Sequence, residues 1–358
     1  MRREAMQPRH LGHPKDERTD NFLRAAEFRG PKWIPAAVSI MPATWRKYRE
    51  EVERIVLDHP GIFPDYREGS RDFDRIEVET YRQGCYTDAW GCVWENVCEG
   101  LDGLVVEGPL EDWEAMDHFR PPDPLAQVNW DAAAWNVERA IQEGRLATGG
   151  LEHGFMYMRL YYLRGFENFM LDIAQGDSRL ERLIDMVLDH NVKRIRKWLE
   201  LGVEMMTFGD DLGTQKGLPI SPRHFRKYLR PCYAEMFGLC RDEGVSVYLH
   251  SDGHILEIAE DLVEAGVTIL NPQVRPNTLK GLAERAKGKV CINLDLDRQL
   301  FPFATPSQIR DHIREAIDVL GDDKGGLMLH AECEPDVPLE NISAICDALE
   351  EWCGPWMS

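Results

Sequence analysis

The chain has 358 residues, of which 43% are apolar, and it carries a formal net charge of −20. This length allows one large α/β barrel with an N-terminal elaboration or two ordinary domains, and the acidity argues against nucleic acid or an anionic membrane as a partner. The apolar runs fall short of the roughly 20 residues that span a bilayer, and the charged N-terminus lacks the apolar core of a signal peptide, so we expect a cytoplasmic protein.

The first third of the chain is irregular. Residues 1–28 are polar and charged, which indicates an N-terminal arm or a short surface helix before a single domain over residues 29–358. Residues 33–40 predict a first strand and residues 43–59 predict a helix. Over residues 60–125, glycine, proline and aromatic residues occur in short runs, which predicts a small β-rich insertion.

From residue 130 onward, short apolar strands alternate with helices. The predicted strands cover residues 146–150, 204–208, 245–249, 267–271, 290–294 and 326–330, and the predicted helices cover residues 131–143, 177–201, 221–243, 254–265, 305–319 and the chain from 338. This alternation is typical of βαβ units around a parallel sheet, and it predicts a TIM-type (β/α)8 barrel. One strand is missing from the eight, and it could lie in the insertion. An open doubly wound sheet is the alternative, disfavoured because no Gly-x-Gly-x-x-Gly or P-loop motif follows a strand.

Polar side chains follow the predicted strands at their carboxyl ends, where parallel α/β folds keep their chemistry. These side chains are Glu152, His153, Asp210, Asp211, His250, Asp252, Asn271, Asp295, Asp297, His330, Glu332 and Cys333. In a barrel they would collect on one face. The sequence therefore predicts a site that is dense in metal ligands and acid–base groups.

His250 and Asp252 are two residues apart, so on an extended backbone both side chains point the same way and can share one metal ion. A histidine, a carboxylate and a distant thiolate such as Cys333 would suit zinc with an open fourth position. Zinc placed there would activate a thiol or a hydroxyl as a nucleophile by stabilising its anion.

Each of these residues also has a structural interpretation. A histidine at a strand end, such as His250, is often only a hydrogen-bonded loop residue, and Asp210 with Asp211 could form a turn before Gly213. Nine scattered cysteines with no Cys-x-x-Cys pair do not indicate a disulfide framework or a zinc ribbon, and most of them are expected to be buried thiols. The joint position of the polar residues at strand ends favours a functional site.

Several motifs together resemble the uroporphyrinogen decarboxylase superfamily. The motifs are Gly-Asp-Asp-Leu-Gly at 209–213, Ile-Ser-Pro-x-x-Phe at 220–225, His-Ser-Asp-Gly at 250–253, Pro-Asp-Val-Pro-x-Glu-Asn-Ile at 335–342, Asp-x-Trp-Gly-Cys-x-Trp at 88–94 and Leu-Arg-Gly-Phe-Glu at 163–167. Their order and spacing extend the resemblance over roughly residues 80–350. The resemblance implies a TIM-type barrel, in agreement with the strand and helix pattern.

The superfamily has two branches. True uroporphyrinogen decarboxylases need no metal and carry a Met-Arg-Gln-Ala-Gly-Arg motif, whereas residues 39–44 here read Ser-Ile-Met-Pro-Ala-Thr. The cobalamin-dependent methyltransferases bind zinc through a His-x-Cys pair and a later cysteine, and the zinc activates a thiol that takes a methyl group from a corrinoid. His250 matches the first ligand, Asp252 stands in place of the paired cysteine, and Cys333 lies near the later one. The harder ligand set also admits other divalent metals.

We therefore predict a zinc- or other metal-dependent methyltransferase or demethylase that moves a methyl group between a small substrate and a corrinoid protein or thiol acceptor. The predicted metal ligands are His250, Asp252, Cys333 and Glu332, and the predicted catalytic carboxylates are Asp210, Asp211 and Glu152. Trp90, Trp94 and Tyr162 are candidates for an apolar wall. A metal-free decarboxylase of a tetrapyrrole-like substrate and a non-catalytic small-ligand binder are the alternatives, and a homodimer is the assembly left open.

Overall fold

The computed structural model describes residues 7–353, and its central feature is a curled parallel sheet of seven strands. The strands of the chain are β1 Ala36–Ile40, β2 Gly84–Thr87, β3 Val93–Asn96, β4 Leu104–Glu107, β5 Thr148–Gly150, β6 Met205–Gly209, β7 Ser246–Ser251, β8 Ile269–Pro272, β9 Cys291–Asp295 and β10 Leu327–Cys333. The parallel sheet has the order β1-β10-β9-β8-β7-β6-β5. This order confirms the predicted α/β architecture of the TIM-barrel type.

The helices alternate with these strands. They are α1 Glu17–Ala26, α2 Pro42–Tyr48, α3 Glu50–Asp58, α4 Trp130–Gln142, α5 Tyr157–Arg164, α6 Phe166–Gln175, α7 Arg179–Glu200, α8 Pro222–His224, α9 Arg230–Asp242, α10 Ala259–Ala265, α11 Val274–Asn277, α12 Leu279–Arg285, α13 Pro306–Leu320 and α14 Leu339–Cys353, with a π-helical turn Phe225–Leu229 joining α8 to α9. Within residues 7–353, none of them combines the length and the apolar character needed to cross a membrane.

The predicted insertion forms a small sheet of its own. Strands β2, β3 and β4 pair antiparallel with one another and not with the parallel sheet. In the part of the chain that the structure describes, β1 and β5 are the two edges of the parallel sheet, and residues 60–125 add no strand between them. The eighth strand that the sequence left open is therefore not found in the insertion.

The N-terminal segment packs against the strand ends opposite the polar site residues. Helix α1 is capped by Asp16, whose side chain accepts a hydrogen bond from the Thr19 N–H. Leu23 lies on the buried face of this helix. Lys15 Nζ lies 2.6 Å from the carboxylate of Glu204, and both side chains are almost fully buried. The arm predicted over residues 1–28 thus contains a helix tied by a buried ion pair, and its first six residues lie outside the described range.

Two helical regions differ from the sequence pattern. The helix predicted over residues 43–59 is divided into α2 and α3 at Arg49, which has a φ of 48°. Helices α5 and α6 were not predicted, and they meet at Gly165, where a φ of 78° suits glycine. Helix α5 has buried residues all around its axis, so its sequence shows no amphipathic period from which a helix could be predicted.

Candidate metal centre and adjoining pocket

Three successive strand ends bring together His153, Asp211 and His250. His153 follows β5, Asp211 follows β6, and His250 lies near the end of β7. One ligand atom from each of the three lies within 4.8 Å of the others. His153 Nε2 is 3.1 Å from Asp211 Oδ2, and His250 Nε2 is 3.9 Å from Asp211 Oδ1. The Asp211 carboxylate therefore lies between two imidazole rings.

The backbone of β6 passes so close to His153 that only glycine fits beside it. A Cβ atom added at Gly209 would lie 2.7 Å from His153 Nδ1. The His153 backbone also continues into Gly154, whose N–H donates to the Gly209 carbonyl at 2.7 Å. The sequence Gly-Asp-Asp thus lets the strand approach closely enough for Asp211 to reach the imidazole.

His250 is oriented by a hydrogen-bond chain behind it. Its Nδ1–H donates to Asn271 Oδ1 at 2.7 Å, and Asn271 Nδ2–H in turn donates to the Asn293 carbonyl at 2.6 Å. Since Nδ1 is used in this way, Nε2 faces the site, where it lies 3.2 Å from Asp252 Oδ1. Metal-binding histidines in proteins are commonly fixed through their second ring nitrogen in the same manner.

The electrostatics of the cluster favour a cation. Burial lowers the pKa of His250, but the carboxylates of Asp252 and Asp211 outweigh burial and raise this pKa to about 9. Burial likewise raises the pKa of Asp211, but the hydrogen bond and charge of His153 outweigh it and hold this pKa at about 2. Asp252 Oδ1 is buried without a well-directed hydrogen bond from a described group. A divalent ion could replace the protons that now neutralise these carboxylates.

The donor set fits a divalent metal. Two imidazoles and a carboxylate are ligands that zinc and several other divalent metals accept, and Asp252 Oδ1 is a further oxygen next to His250 Nε2. Of the four predicted ligands, His250 belongs to this cluster, and Asp252 adjoins it through the 3.2 Å contact of its Oδ1 with His250 Nε2. His153 was noted at a strand end but was not predicted as a ligand, because its approach to Asp211 depends on the packing of β5 against β6.

Cys333 lies outside the cluster. It is fully buried on the face of β10 opposite to Glu332, next to Cys346 of α14. Burial raises the pKa of the Cys333 thiol to about 12, which disfavours the thiolate that a metal ligand must supply. The prediction that Cys333 binds a metal together with His250 is therefore not supported by its position.

Glu332 reaches the cluster only through an arginine. The guanidinium of Arg298 binds Glu332 Oε1 with one nitrogen and Asp252 Oδ2 with the other. Both carboxylates and Arg298 are about one quarter exposed or less. Arg298 was not among the predicted site residues; it lies in the loop three residues after the end of β9.

Asp210 is buried and bound to the start of α5 and to α9. Its carboxylate accepts hydrogen bonds from the backbone N–H groups of Met156, Tyr157 and Met158 and, at 2.7 Å, from the Tyr233 hydroxyl. The side chain is fully buried, and burial raises its pKa to about 6. Asp210 therefore holds the start of α5, whereas Asp211 faces the cluster.

A cavity of about 370 Å³ adjoins the cluster on the β5 side. Its lining includes Trp90, Trp94, Tyr162, Glu152, His153, Arg159 and Arg194. The structure thus brings the three predicted wall residues together, with Trp94 and Tyr162 in edge contact at 5.1 Å between ring centroids. His153 belongs to both the cavity and the cluster, so a molecule in the cavity would lie beside the candidate metal ligands.

Two ion pairs, each with a buried arginine, fix the polar side of this cavity. Arg159 lies over the Trp90 ring and donates to Asp88 Oδ2 at 2.7 Å. Arg194 binds Glu152, the third predicted catalytic carboxylate. Burial raises the pKa of Glu152, but the charge of Arg194 outweighs burial, so that this pKa is lowered. Glu152 is consequently held as an ionised carboxylate in the cavity wall.

Comparisons with known proteins agree with this architecture. The family model described as uroporphyrinogen decarboxylase (URO-D) matches residues 98–352. A methyltransferase from Methanosarcina mazei is similar over 93% of this chain and 98% of that chain, with a TM-score of 0.62 and 17% identity. A B12-independent methionine synthase from Shewanella sp. W3-18-1 is similar over 63% of this chain and 67% of that chain, with a TM-score of 0.36 and 14% identity. No curated protein matches this chain in sequence.

The first of these structures covers nearly the whole of both chains, so the likeness shows a common fold. The family model covers most of this chain, including every strand of the parallel sheet except β1. It also includes all three residues of the metal cluster. By this match the chain belongs to the uroporphyrinogen decarboxylase family.

Proposed function

We propose that this protein is a cytoplasmic, metal-dependent methyltransferase or demethylase, which moves a methyl group between a small substrate and a corrinoid protein or thiol acceptor. The observation that carries the proposal is the convergence of His153, Asp211 and His250 at the carboxyl ends of three neighbouring strands. The similarity of the fold to the Methanosarcina mazei methyltransferase supports the reaction class.

In this proposal His153, Asp211 and His250 hold the metal, with Asp252 as a further donor. Zinc, or another divalent ion that accepts nitrogen and oxygen ligands, would lower the pKa of a neighbouring thiol or hydroxyl and make it nucleophilic at neutral pH. Asn271 acts as a positioning residue, because its hydrogen bond fixes the His250 ring.

The aromatic cavity is the proposed substrate site. Trp90, Trp94 and Tyr162 can bury the apolar part of a small molecule, while Arg159 and its neighbours supply fixed polar groups. Aromatic walls with a few placed polar groups are typical of small-ligand sites. Because His153 borders this cavity, a bound substrate would present its reacting end to the metal ligands.

A surface beside the cavity supports a protein partner. Leu104 and Val106 of β4 and Phe166 of α6 are all more than half exposed. Val106 and Phe166 line a shallow depression that also includes Tyr162, a residue of the cavity wall. Exposed apolar residues next to a site are typical of interaction surfaces. In the proposal a corrinoid protein docks here and presents its cofactor to the mouth of the barrel.

The first test is metal analysis of protein purified without added metal. We expect about one zinc or other divalent ion per chain in wild type and little in His250→Ala or His153→Ala. The control His118→Ala changes an exposed histidine outside the cluster and should keep the wild-type metal content. A wild-type protein that stays free of metal even after zinc is offered would contradict the proposal and favour metal-free decarboxylation or simple binding.

The second test is methyl transfer from free methylcobalamin to a simple thiol such as 2-mercaptoethanol, followed by the absorbance of the corrinoid. Metal-loaded wild type is expected to accelerate the reaction. With His250→Ala the rate of methyl transfer is expected to be at least about 100-fold lower than with wild type. A protein that binds one metal per chain but does not accelerate the transfer from any corrinoid donor would be a metal-containing binder or an enzyme of another reaction class.

A further inference from the structure

A second constellation of reactive groups lies on the wall formed by β1, β9 and β10. Ser39 Oγ is 2.9 Å from His330 Nε2, and His330 Nδ1 is 3.1 Å from Asp295 Oδ1. The three residues come from three neighbouring strands of the parallel sheet. They do not include any of the metal-cluster residues.

The hydrogen bonds define the role of each atom. An ionised carboxylate can only accept, so the proton between His330 and Asp295 belongs to Nδ1. In the neutral ring Nε2 is then the acceptor, and the Ser39 hydroxyl donates to it. This is the tautomer in which an imidazole can remove the proton from a serine hydroxyl.

The exposure of the three side chains increases from Asp295 through His330 to Ser39. Asp295 is 2% exposed, the His330 side chain is 21% exposed, and Ser39 is exposed. A buried carboxylate can orient the ring, while the hydroxyl remains open to a small molecule. Ser39 is also the register partner of Glu332, whose side chain is held by Arg298 from the loop after β9.

We propose that Ser39, His330 and Asp295 form a nucleophile, a general base and a positioning residue for a metal-independent hydrolysis of small carboxylic esters. The geometry that carries the proposal is an exposed hydroxyl, a partly buried imidazole and a buried carboxylate in one hydrogen-bonded line across three neighbouring strands. This reaction is separate from the proposed methyl transfer and does not use its ligands.

The proposed reaction takes place in two steps. Ser39 Oγ bonds to the ester carbonyl carbon while its proton moves to His330 Nε2, and the C–O bond to the alcohol breaks as the alcohol takes that proton. A water molecule then attacks the acyl-serine, His330 accepts its proton and returns it to Ser39, and the carboxylic acid leaves. Asp295 accepts the hydrogen bond from His330 Nδ1–H and stabilises the imidazolium when it forms.

The test uses diisopropyl fluorophosphate, which forms a Ser39 Oγ–P bond as the P–F bond breaks and the serine proton leaves with the fluoride. The full chain is incubated with this probe in EDTA, so that metal plays no part, and the modified residue is located by peptide mass spectrometry. We expect one label per chain at Ser39, which disappears in Ser39→Ala and persists in Ser70→Ala, a matched exposed serine.

Further variants separate reactivity from folding. Asp295→Asn should slow labelling at Ser39 by about 100-fold or more, because it removes the carboxylate that sets the tautomer. Ser39→Ala changes a small exposed side chain, and its circular dichroism should match that of wild type. Hydrolysis of p-nitrophenyl acetate should fall in the same variants. Absence of label at Ser39 under excess probe, or equal labelling in Asp295→Asn, would overturn the proposal, whatever the metal analysis shows.

Discussion

His250 and Asn271 are joined by a hydrogen bond of 2.7 Å between Nδ1 and Oδ1, and this bond turns the other ring nitrogen toward Asp211 and Asp252. The relationship ties the candidate metal centre to the neighbouring strand β8. It makes the orientation of the ring, and not only its presence, a property that can be tested.

Replacing Asn271 by alanine should weaken the binding of zinc by about 10- to 100-fold, since the ring loses the acceptor that holds it. The dissociation constant can be measured by competition with a chromophoric chelator. Asn136→Ala, which changes an exposed asparagine of α4, is the control and should bind as wild type does. Unchanged affinity in Asn271→Ala would mean that His250 is not a ligand or is oriented by other contacts.

Gly209→Ala should disturb the metal centre without a change in any ligand. The added Cβ would lie 2.7 Å from His153 Nδ1, so the ring must move away from Asp211. We expect a loss of zinc affinity of at least about 10-fold. Gly217→Ala is a matched control because its Cβ meets no atom within 4 Å. Equal affinities for the two variants would argue against His153 as a ligand.

Arg298→Gln removes the cation that Asp252 and Glu332 share. The two carboxylates are partly exposed, so we expect the free energy of unfolding of the metal-free protein to fall by only about 1–2 kcal/mol. Zinc should then raise the melting temperature of this variant more than that of wild type, because it supplies the missing positive charge. An equal zinc-induced shift in both proteins would show that Asp252 takes no part in binding the metal.

Asp210→Ala should destabilise the fold strongly. It leaves three backbone N–H groups and the Tyr233 hydroxyl without their acceptor in a fully buried place. We expect the free energy of unfolding in urea to fall by about 3 kcal/mol or more. Asp189→Ala removes only an exposed ion pair to Lys193 and should cost less than about 1 kcal/mol.

The buried histidine of α7, His190, predicts a dependence of stability on pH. Burial against the Trp90 ring, together with the charge of Arg194, lowers the pKa of His190 to about 4. Between pH 6.5 and pH 4 the unfolded chain takes up a proton at His190 that the folded chain does not. The neutral, buried His190 therefore costs no stability above pH 6.5, and the free energy of unfolding decreases as the pH falls toward 4.

His190→Gln should remove about 2 kcal/mol of the difference in unfolding free energy between pH 7 and pH 4.5. Urea unfolding at a series of pH values measures this difference. His118→Gln is the control, since that histidine is exposed. Parallel curves for wild type and His190→Gln would show that the pKa of His190 is the same in the folded and the unfolded chain, which would contradict the prediction.

The barrel and its family could be predicted from the sequence because each depends on local pattern. Seven apolar runs separated by helices predicted the seven strands of the parallel sheet, and the motifs around Asp210 and His250 predicted the family; both were confirmed. The pattern of strand ends also predicted that polar side chains gather at the carboxyl ends of the strands, where His153, Asp211 and His250 lie together. Predicting these features requires only the spacing of the apolar residues and the order of the strands and helices along the chain.

The ligand set could not be predicted in the same way. Cys333 and Glu332 are neighbours in sequence, but side chains alternate along β10. Cys333 therefore points into the core, whereas Glu332 points toward the mouth of the barrel, where it binds Arg298. The contact of His153 with Asp211 depends on how closely β5 approaches β6. Arg298 lies in a loop, and nothing local indicates that it bridges two carboxylates.

The carboxyl end of β6 connects two parts of the site through a single peptide unit. Asp210 anchors the start of α5, which carries Arg159 and Tyr162 of the cavity wall, while the next residue, Asp211, belongs to the metal centre. A rotation of α5 on occupation of the cavity would therefore turn the Asp211 carboxylate as well. One peptide unit at the end of β6 therefore joins the wall of the cavity to the cluster of His153, Asp211 and His250.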